Sequence, residues 1–247
     1  MDEHLLFYVD LLGTKSTIDD PDETKIQGLE DLLKDIAALR SPFVLKSEER
    51  VEDQVYALTI KPEVSTFSDH IVLSLPVAAL REVMAENYIF LGVRLISDEI
   101  GKLAVQASKL DLLIRGGATI GKLHHHNGVV LGKALVEAYE LESRIAIYPR
   151  IAVSGKLALS YCAGGKHPPF LAGEDGIKHA NYIETMLLVN GEPPKFLAQL
   201  RSKVAKNIAA FEANGRLNEM AKWSWFGNAV EKAVQQLPRE VFEEVQN

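Results

Sequence analysis

The sequence predicts an α+β fold, in which helices cover one face of a mostly antiparallel sheet. Strand and helix patterns follow one another in the order β-α-β-β-α-β-β-α-β through the first part of the chain. Two of the strand patterns are joined by a tight turn at Ser68–Asp69, and so short a connection requires an antiparallel pair. Two amphipathic helical patterns near the C-terminus predict a helical extension to this unit.

The first half of the chain begins with a strand. Residues 5–9 form a continuous apolar run that ends at Asp10, which indicates a buried strand followed by a turn near Gly13. The remaining patterns of this half are, in order, a helix at residues 22–40, a loop or frayed strand at 41–54, strands at 55–67 and 70–76, and a helix at Val77–Ser108.

The second half of the chain changes in character after about Gly155. Before that residue the patterns predict a strand at 110–123 interrupted by two glycines, a strand at 128–132, a helix at Lys133–Arg144 and a short strand at 149–154. After it they predict a Gly- and Pro-rich loop at 161–176, a strand at 182–189, and helices at Pro194–Asn214 and Leu217–Leu237. We expect residues 1–155 to form one unit and residues 156–247 to pack on it as an extension rather than as an independent domain.

Composition and charge narrow the class of protein. The 247 residues suit one large domain, and the formal net charge of −7 argues against nucleic-acid or membrane-surface binding, which favours basic patches. The single cysteine, Cys162, fits a reducing compartment, and Asp2 and Glu3 are acidic where a signal peptide would be basic. The sequence therefore predicts a cytoplasmic protein, which can bind a polyphosphate only where local cations or metal ions neutralise it.

Two acids stand inside otherwise apolar strand patterns, and they are the most informative residues of the chain. Asp10 ends the first strand, and Asp69 lies at the turn between the two paired strands. Because burying an unpaired carboxylate is costly, such acids indicate a cation or a strong hydrogen-bond partner. Their pairing predicts a shared divalent metal site for phosphate chemistry. The alternative is structural: Asp10 caps a turn and Asp69 begins a hairpin.

Residues 114–154 carry a family resemblance. The run R-G-G-A-T-I-G, a hairpin, V-x-G, a helix ending A-Y-E-L-E-S-R and then I-x-V-S are similar to the class III nucleotidyl cyclase domain. That family shows R-x-G-I-x-x-G, W-G-x-x-V-N-x-A-x-R-L-E and I-x-V-S. Its opening F-x-D-I-x-G-F-T resembles FYVDLLGTK, and its hairpin G-D resembles Ser68–Asp69. The resemblance covers about residues 5–155 and implies a ferredoxin-like cyclase palm as the catalytic domain.

The resemblance also implies roles for individual residues. Asp10 and Asp69 become carboxylate ligands of two divalent ions, Mn²⁺ or Mg²⁺, and the backbone carbonyl of Leu11 becomes a further ligand. The turn formed by Leu12, Gly13 and Thr14 becomes the phosphate cradle. The family's reaction is attack of the ribose 3′-hydroxyl on the α-phosphorus, which yields a 3′,5′-cyclic nucleotide and pyrophosphate. The resemblance further implies a homodimer whose sites lie at the subunit interface, where one chain gives the aspartates and the other gives base-pocket and cationic groups.

The chain departs from the family at four positions that read the substrate. The family's transition-state Asn and Arg fall at Val136 and Glu140, and its two purine-selecting positions fall at Ser65 and Val129. A pocket without these groups lacks the usual hydrogen bonds to adenine or guanine. This pattern of loss resembles the pyrimidine cyclases of the bacterial Pycsar anti-phage systems. That resemblance implies UTP or CTP as substrate and a cyclic UMP or cyclic CMP signal read by a separate effector.

Some cation must replace the missing transition-state Arg. Arg144 and Arg150 flank the connection from the last helix of the palm to its last strand, and they are the first candidates. Further basic candidates are Arg115, Lys122 and Lys133. Each of them can instead be a solvated surface cation or a charge at the C-terminal end of a helix.

Aromatic and histidine side chains near Asp69 complete the set of candidates. Phe67 lies two residues before Asp69, so strand alternation places it on the same side, where it can stack on a base or join the core. The same alternation points His70 to the opposite face. Residues 124–126 are three histidines that cannot all reach one metal, and they predict an exposed hairpin tip.

Two alternatives to a pyrimidine cyclase remain open at this point. The first is a catalytically inactive cyclase-like module that binds or regulates, which the missing Asn and Arg favour. The second is a purine cyclase with a rebuilt base pocket. Retention of both acids argues against the inactive module, because a dead site has no physical need for two buried carboxylates.

Overall fold

The computed structural model describes residues 1–19, 23–38, 43–51, 54–84, 86–160 and 168–242. The strands are β1 (Asp2–Leu12), β2 (Phe43–Val51), β3 (Gln54–Ile60), β4 (Glu63–Phe67), β5 (His70–Pro76), β6 (Leu113–His126), β7 (Val129–Leu131), β8 (Ile151–Val153), β9 (Phe170–Ala172) and β10 (Lys178–Ala180). The helices are α1 (Thr14–Ile18), α2 (Glu23–Ala38), α3 (Val77–Val83), α4 (Tyr88–Lys109), α5 (Lys133–Glu140), α6 (Gly155–Leu159), α7 (Tyr182–Leu188), α8 (Pro193–Ala213) and α9 (Leu217–Gln236), with a π-helix at Leu141–Ile145 and a 3₁₀ turn at Arg239–Val241.

One main sheet organises the chain. Its strand order is β4-β5-β1-β6-β8-β10-β9, with β7 paired to β6, while β2 and β3 form a separate hairpin. Strand β1 is antiparallel to both of its neighbours, and the β6–β8 pair is parallel. The order β4-β5-β1-β6, with helices connecting β1 to the β4–β5 hairpin and that hairpin to β6, is the ferredoxin-like arrangement. The predicted fold class is therefore confirmed.

The central strand β1 is buried on both faces, which explains its continuous apolar run. Leu5, Phe7 and Val9 belong to the large core that α2 and α4 help to form. Leu6 and Tyr8 point to the opposite face, where they pack with Ala134 and Ala138 of α5. Helix α5 thus covers part of the second face, and the main helical layer covers the first.

Two adjacent glycines bring β6 close to its neighbours, and the strand runs through them without interruption. A Cβ atom on Gly117 would lie 2.0 Å from the carbonyl oxygen of Ala138, and one on Gly116 would lie 2.3 Å from that of Tyr8. Only glycine fits these approaches. The pair therefore sets how closely α5 and β1 lie against β6.

Several predicted elements differ from the structure. The strand predicted at 55–67 is divided between β3 and β4, and the segment predicted as a loop or frayed strand contains β2. The helix predicted at Val77–Ser108 is two helices, because the extended backbone of Met84 (φ −147°, ψ 93°) ends α3. The strand predicted at 182–189 is wrong, since these residues form helix α7. The helices predicted near the C-terminus are confirmed as α8 and α9. Cys162 lies outside the described residues.

The residues after 155 extend the same sheet and helical layer. Strands β9 and β10 join its edge through β8, and α7 contacts α4. Lys203 of α8 donates hydrogen bonds to the carbonyl oxygens of Ser108 (2.7 Å) and Lys109 (2.8 Å), which satisfies the C-terminal end of α4. The division of the chain at residue 155 stays a prediction. Within the described ranges, no helix has both the length and the apolarity needed to cross a bilayer.

A buried chain of histidines and serines crosses the sheet face near β7. His125 bonds to Ser65 Oγ through Nε2 and to Ser74 Oγ through Nδ1, each at 2.9 Å, and Ser74 Oγ lies 3.3 Å from His4 Nδ1. His125 is 5% exposed, so the prediction of an exposed tip is wrong for this histidine. The alternation of β6 turns it inward, while its two neighbours remain exposed.

The buried histidines predict a loss of stability in acid. Burial lowers the pKa of His4 and of His179 below the ordinary value of 6.5. As the pH falls through that value, the unfolded chain binds more protons than the folded chain. The free energy of unfolding is therefore highest above that pH and decreases below it. We expect the melting temperature to fall between pH 7.5 and pH 5.5, and His4→Asn to reduce that slope. The exposed His126→Asn is the control, and equal slopes for His4→Asn and the parent protein would contradict the assignment.

Candidate active site

The two acids predicted from the sequence meet at one end of β1. Asp10 lies opposite His70 in the β1–β5 register, and Asp69 occupies the two-residue turn between the paired Phe67 and His70. Ser68, the first turn residue, has a φ of 57°, as hairpin turns of this length require. The backbone N–H of Leu11 donates to the carbonyl oxygen of Asp69 at 3.1 Å, which fixes the turn against β1.

Asp10, Asp69 and His70 form a donor set whose ligand atoms all lie within 4.8 Å of one another. His70 Nδ1 is 3.3 Å from Asp69 Oδ1, and His70 Nε2 is 3.7 Å from Asp10 Oδ1. Two carboxylate oxygens and an imidazole nitrogen suit Mn²⁺ and can also bind Mg²⁺, so the residues fit the metal site that the sequence predicts. The prediction that His70 faces away is wrong, because Asp69 belongs to the turn and strand alternation does not relate the two residues.

Asp69 is held as a carboxylate by the turn after β1. Thr14 Oγ1 donates to Asp69 Oδ2 at 2.6 Å. Partial burial alone would raise the pKa of Asp69, but hydrogen bonds from Thr14 and Ser68 and the nearby imidazole outweigh it and hold that pKa below its ordinary value. Gly13 makes this turn with a φ of 108°, a left-handed conformation that favours glycine. Asp69 is therefore charged at neutral pH.

A partly buried cation, Arg115, links Asp10 to a second acid that is not among the site residues predicted from the sequence. Arg115, directly opposite Asp10 in β6, donates from Nε to Asp10 Oδ2 at 2.7 Å. Its Nη2 lies 2.7 Å from Oε1 of Glu142, an ion pair whose angles fall outside those of a hydrogen bond. Glu142 is 2% exposed, and burial raises its pKa although Arg115 opposes that shift. The sequence signal for Glu142 is its position in the A-Y-E-L-E-S-R motif.

Glu142 is carried by the π-helix that follows α5. This segment closes directly beneath β6, where Gly117 admits the side chain of Leu141. A π-helix widens the turn by one residue and is frequent at functional sites. Here it directs Glu142 toward Arg115 and thereby toward Asp10.

Removal of the Arg115 cation is expected to destabilise the fold. Arg115→Met leaves the buried carboxylates of Asp10 and Glu142 without their shared partner, which we expect to lower the free energy of unfolding by about 2 kcal/mol. The figure is below that for a fully buried pair because 26% of the Arg115 side chain is exposed. Urea denaturation measures the change, with Arg94→Met, which breaks an exposed helix pair, as the control. Equal losses of unfolding free energy in the two variants would show that Arg115 stabilises the fold no more than an exposed arginine does.

An aromatic surface lies beside the acids. Phe67 stacks on His70, with ring centroids 5.6 Å apart and planes inclined by 17°. Tyr8 contacts both of these rings and Tyr139 of α5. Phe67 and Tyr139 are 48% and 51% exposed. Burial raises the pKa of Tyr8, which stays a neutral phenol. The surface offers a flat aromatic face next to the candidate metal site.

The remaining predicted site residues lie outside this cluster. Arg144 is exposed and 3.7 Å from Glu140, whereas Arg150 is buried and pairs with Asp175. Ser65 is buried in its bond to His125, and Val129 is half-exposed on β7. Leu12, the first residue of the Leu12–Thr14 turn, pairs with Leu113, and Leu11 pairs with Ile114. The roles assigned to these residues stay predictions. Within the described ranges, the basic residue that donates a hydrogen bond to Asp10 is Arg115.

Solved structures that resemble the chain include two chains described as a bacterial light-regulated adenylyl cyclase. The first is 14% identical with a TM-score of 0.37, and the second is 13% identical with a TM-score of 0.36. Each match covers 76% of this chain and 55% of the other, so the chain spans little more than half the length of these proteins. No protein-family model and no curated protein sequence matches the chain.

Proposed function

We propose that this protein is a nucleotide cyclase that converts a ribonucleoside triphosphate into a 3′,5′-cyclic nucleotide and pyrophosphate. The observation that carries the proposal is the convergence of Asp10, Asp69 and His70 at the end of β1. These residues would hold Mn²⁺ or Mg²⁺, with the carbonyl of Leu11 as a further ligand. Bound divalent ions supply the charge that neutralises a triphosphate and lowers the pKa of a ribose hydroxyl.

The protein's own residues prepare this site. Thr14 fixes one oxygen of Asp69, which leaves Oδ1 directed toward His70 and the Asp10 carboxylate. Arg115 Nε likewise donates a hydrogen bond to Asp10 Oδ2, which leaves Asp10 Oδ1 directed toward His70. Each acid thus keeps one oxygen in a structural bond and presents the other to the shared centre. The Leu12–Thr14 turn lies beside them and is the segment that we assign to the phosphates.

We further infer a pyrimidine substrate, UTP or CTP. Support comes from the positions at which the resemblance places purine readers and transition-state groups. Ser65 already bonds to His125, and Val129, Val136 and Glu140 offer none of the expected groups. Phe67 supplies an exposed ring on which a base can stack without being read by hydrogen bonds. The product would be cyclic UMP or cyclic CMP, an anti-phage signal in the cytoplasm that a separate effector reads.

A homodimer would complete the site. Apolar side chains are exposed along β7, α5 and the segment that follows: Val129, Leu131, Val136, Tyr139, Ile145 and Ile147. Exposed apolar surface of this extent is typical of interfaces. Arg144 projects from the same segment with 74% of its side chain exposed, and its pair with Glu140 is an exposed one, so it is available to the acids of a second copy. We assign the partner's base-pocket and cationic groups to this surface.

An inactive cyclase-like binding module is the second candidate. It is favoured by the internal pairing of the acids, since Arg115 bonds to Asp10 and His70 lies between both carboxylates. In that case the cluster would stabilise the hairpin and perform no chemistry. A purine cyclase with a rebuilt pocket is the remaining alternative.

One experiment separates these functions. The purified protein is incubated with Mn²⁺ and each of the four ribonucleoside triphosphates, and the products are identified by mass spectrometry. We expect a 3′,5′-cyclic nucleotide and pyrophosphate from UTP or CTP. Product from ATP or GTP alone would support the purine cyclase. Absence of product from all four, with EDTA-treated protein as the baseline, would support the inactive module.

A further inference from the structure

A cavity lies in the part of the chain that follows the candidate active site, lined by residues between 148 and 236. It has a volume of about 650 Å³ and is enclosed by the β9–β10 hairpin, the start of α7 and one side of α9. Pockets of roughly 300–1,000 Å³ commonly hold small molecules. None of Asp10, Asp69 and His70 lines it. The cavity is therefore distinct from the candidate active site.

One wall of the cavity is aromatic. The rings of Tyr148 and Trp225 are nearly parallel, with planes inclined by 6° and centroids 5.9 Å apart. His179 meets the indole edge-on at 6.2 Å, and burial lowers the pKa of this histidine, which keeps it neutral at pH 7. We call these three side chains the aromatic shelf. A planar heterocycle can lie against such a shelf, because base–aromatic stacking tolerates any base.

Two cations stand at the cavity beside the shelf, and each is covered by an acid from one hairpin tip. Arg150 Nη1 pairs with Asp175 at 2.7 Å, and Lys232 of α9 pairs with Glu174. The two acids are adjacent in the turn between β9 and β10, and both are exposed, whereas the Arg150 side chain is only 4% exposed. Arg150 Nε also finds no acceptor in the described part of the chain. The hairpin tip thus places two carboxylates against these cations, at the positions that the negative charge of a bound anion would take.

We propose that this cavity binds a nucleoside monophosphate, whose base lies on the aromatic shelf and whose phosphate takes the place of the hairpin carboxylates. Arg150 and Lys232 supply the positive charge for the phosphate. Ser224 and Asn228 line the cavity on α9. The amide of Asn228 offers donors and an acceptor to the polar edge of a base, and Ser224 Oγ, which donates to the carbonyl oxygen of Met220, can still accept a hydrogen bond. The proposal does not depend on cyclase activity.

Binding is tested by titration of the intact chain with the 5′- and 3′,5′-cyclic monophosphates of the four ribonucleosides. Trp225 and the buried Trp223 are the two tryptophans of the chain, so intrinsic fluorescence reports directly on the shelf. We expect at least one monophosphate to quench the fluorescence and to bind about tenfold or more tightly than either its nucleoside or ribose 5-phosphate. Hydrogen exchange of the amides at residues 173–176 should increase on binding, because the tip is released.

Matched variants assign the effect to the proposed groups. Trp225→Leu, followed by calorimetry, is expected to weaken binding about tenfold, and Lys232→Gln should weaken the monophosphate but not the nucleoside. Asp175→Asn should tighten binding, since it removes a competing carboxylate. Arg201→Gln, which breaks an exposed pair with Glu231, is the charge control and should change nothing. The proposal is overturned if none of the eight monophosphates binds more tightly than its nucleoside, or if Trp225→Leu and Lys232→Gln both bind as the parent protein does.

Discussion

Asp69→Asn is expected to lower metal-dependent cyclisation by about a thousandfold, which corresponds to about 4 kcal/mol of lost transition-state stabilisation. The substitution preserves the shape of the side chain, and the amide oxygen can still accept the hydrogen bond that Thr14 donates. It removes the negative charge that a divalent ion needs. Because 27% of the Asp69 side chain is exposed, the fold should tolerate the change.

The experiment needs a readout that does not depend on turnover. Mn²⁺ should raise the melting temperature of the parent protein, and this shift should disappear in Asp69→Asn. Asp98→Asn is the matched control, since Asp98 lies on α4 in an exposed pair with Arg94. If Asp69→Asn retained activity within tenfold of the parent protein, Asp69 would not be a metal ligand in the reaction.

Gly117→Ala is expected to reduce the free energy of unfolding by about 3 kcal/mol or more. The new Cβ atom would lie 2.0 Å from the carbonyl oxygen of Ala138 and 2.7 Å from Cβ of Leu141, and neither of these atoms belongs to a flexible side-chain end. Relief therefore requires α5 and the π-helix to move away from β6. Since that segment carries Glu142, we expect Mn²⁺ binding to weaken as well.

The control for this prediction is another glycine of the same chain. Nothing lies within 4 Å of a Cβ atom built on Gly155, at the start of α6. Gly155→Ala should be neutral or slightly stabilising, because alanine favours the helix and restricts the unfolded chain. Chemical denaturation compares the two variants. A loss below about 1 kcal/mol for Gly117→Ala would show that α5 can shift freely.

The features that the sequence predicts well depend on local rules. The apolar run ending at Asp10 and the two-residue turn at Ser68–Asp69 need only strand periodicity and turn chemistry, and the structure brings both acids together. Helices α8 and α9 were predicted nearly to their ends because one face of each is apolar over many turns.

The features that it misses depend on tertiary contacts. Helix α7 is buried on nearly all sides, so its apolar run cannot be distinguished from a buried strand. The apolar spacing continues across the break between α3 and α4, and the widened turn at Glu142 leaves no periodic signal. Strand alternation predicts the wrong side for His70 because it does not hold across the turn, where the backbone of Ser68 reverses the chain.

Anomalous diffraction from crystals grown with Mn²⁺ tests the central claim most directly. The account predicts a peak bonded to carboxylate oxygens of both Asp10 and Asp69, with His70 beside it. Saturating Mn²⁺ that binds elsewhere, while Asp10 and Asp69 keep only protein groups such as Arg115, His70 and Thr14 as partners, would contradict it.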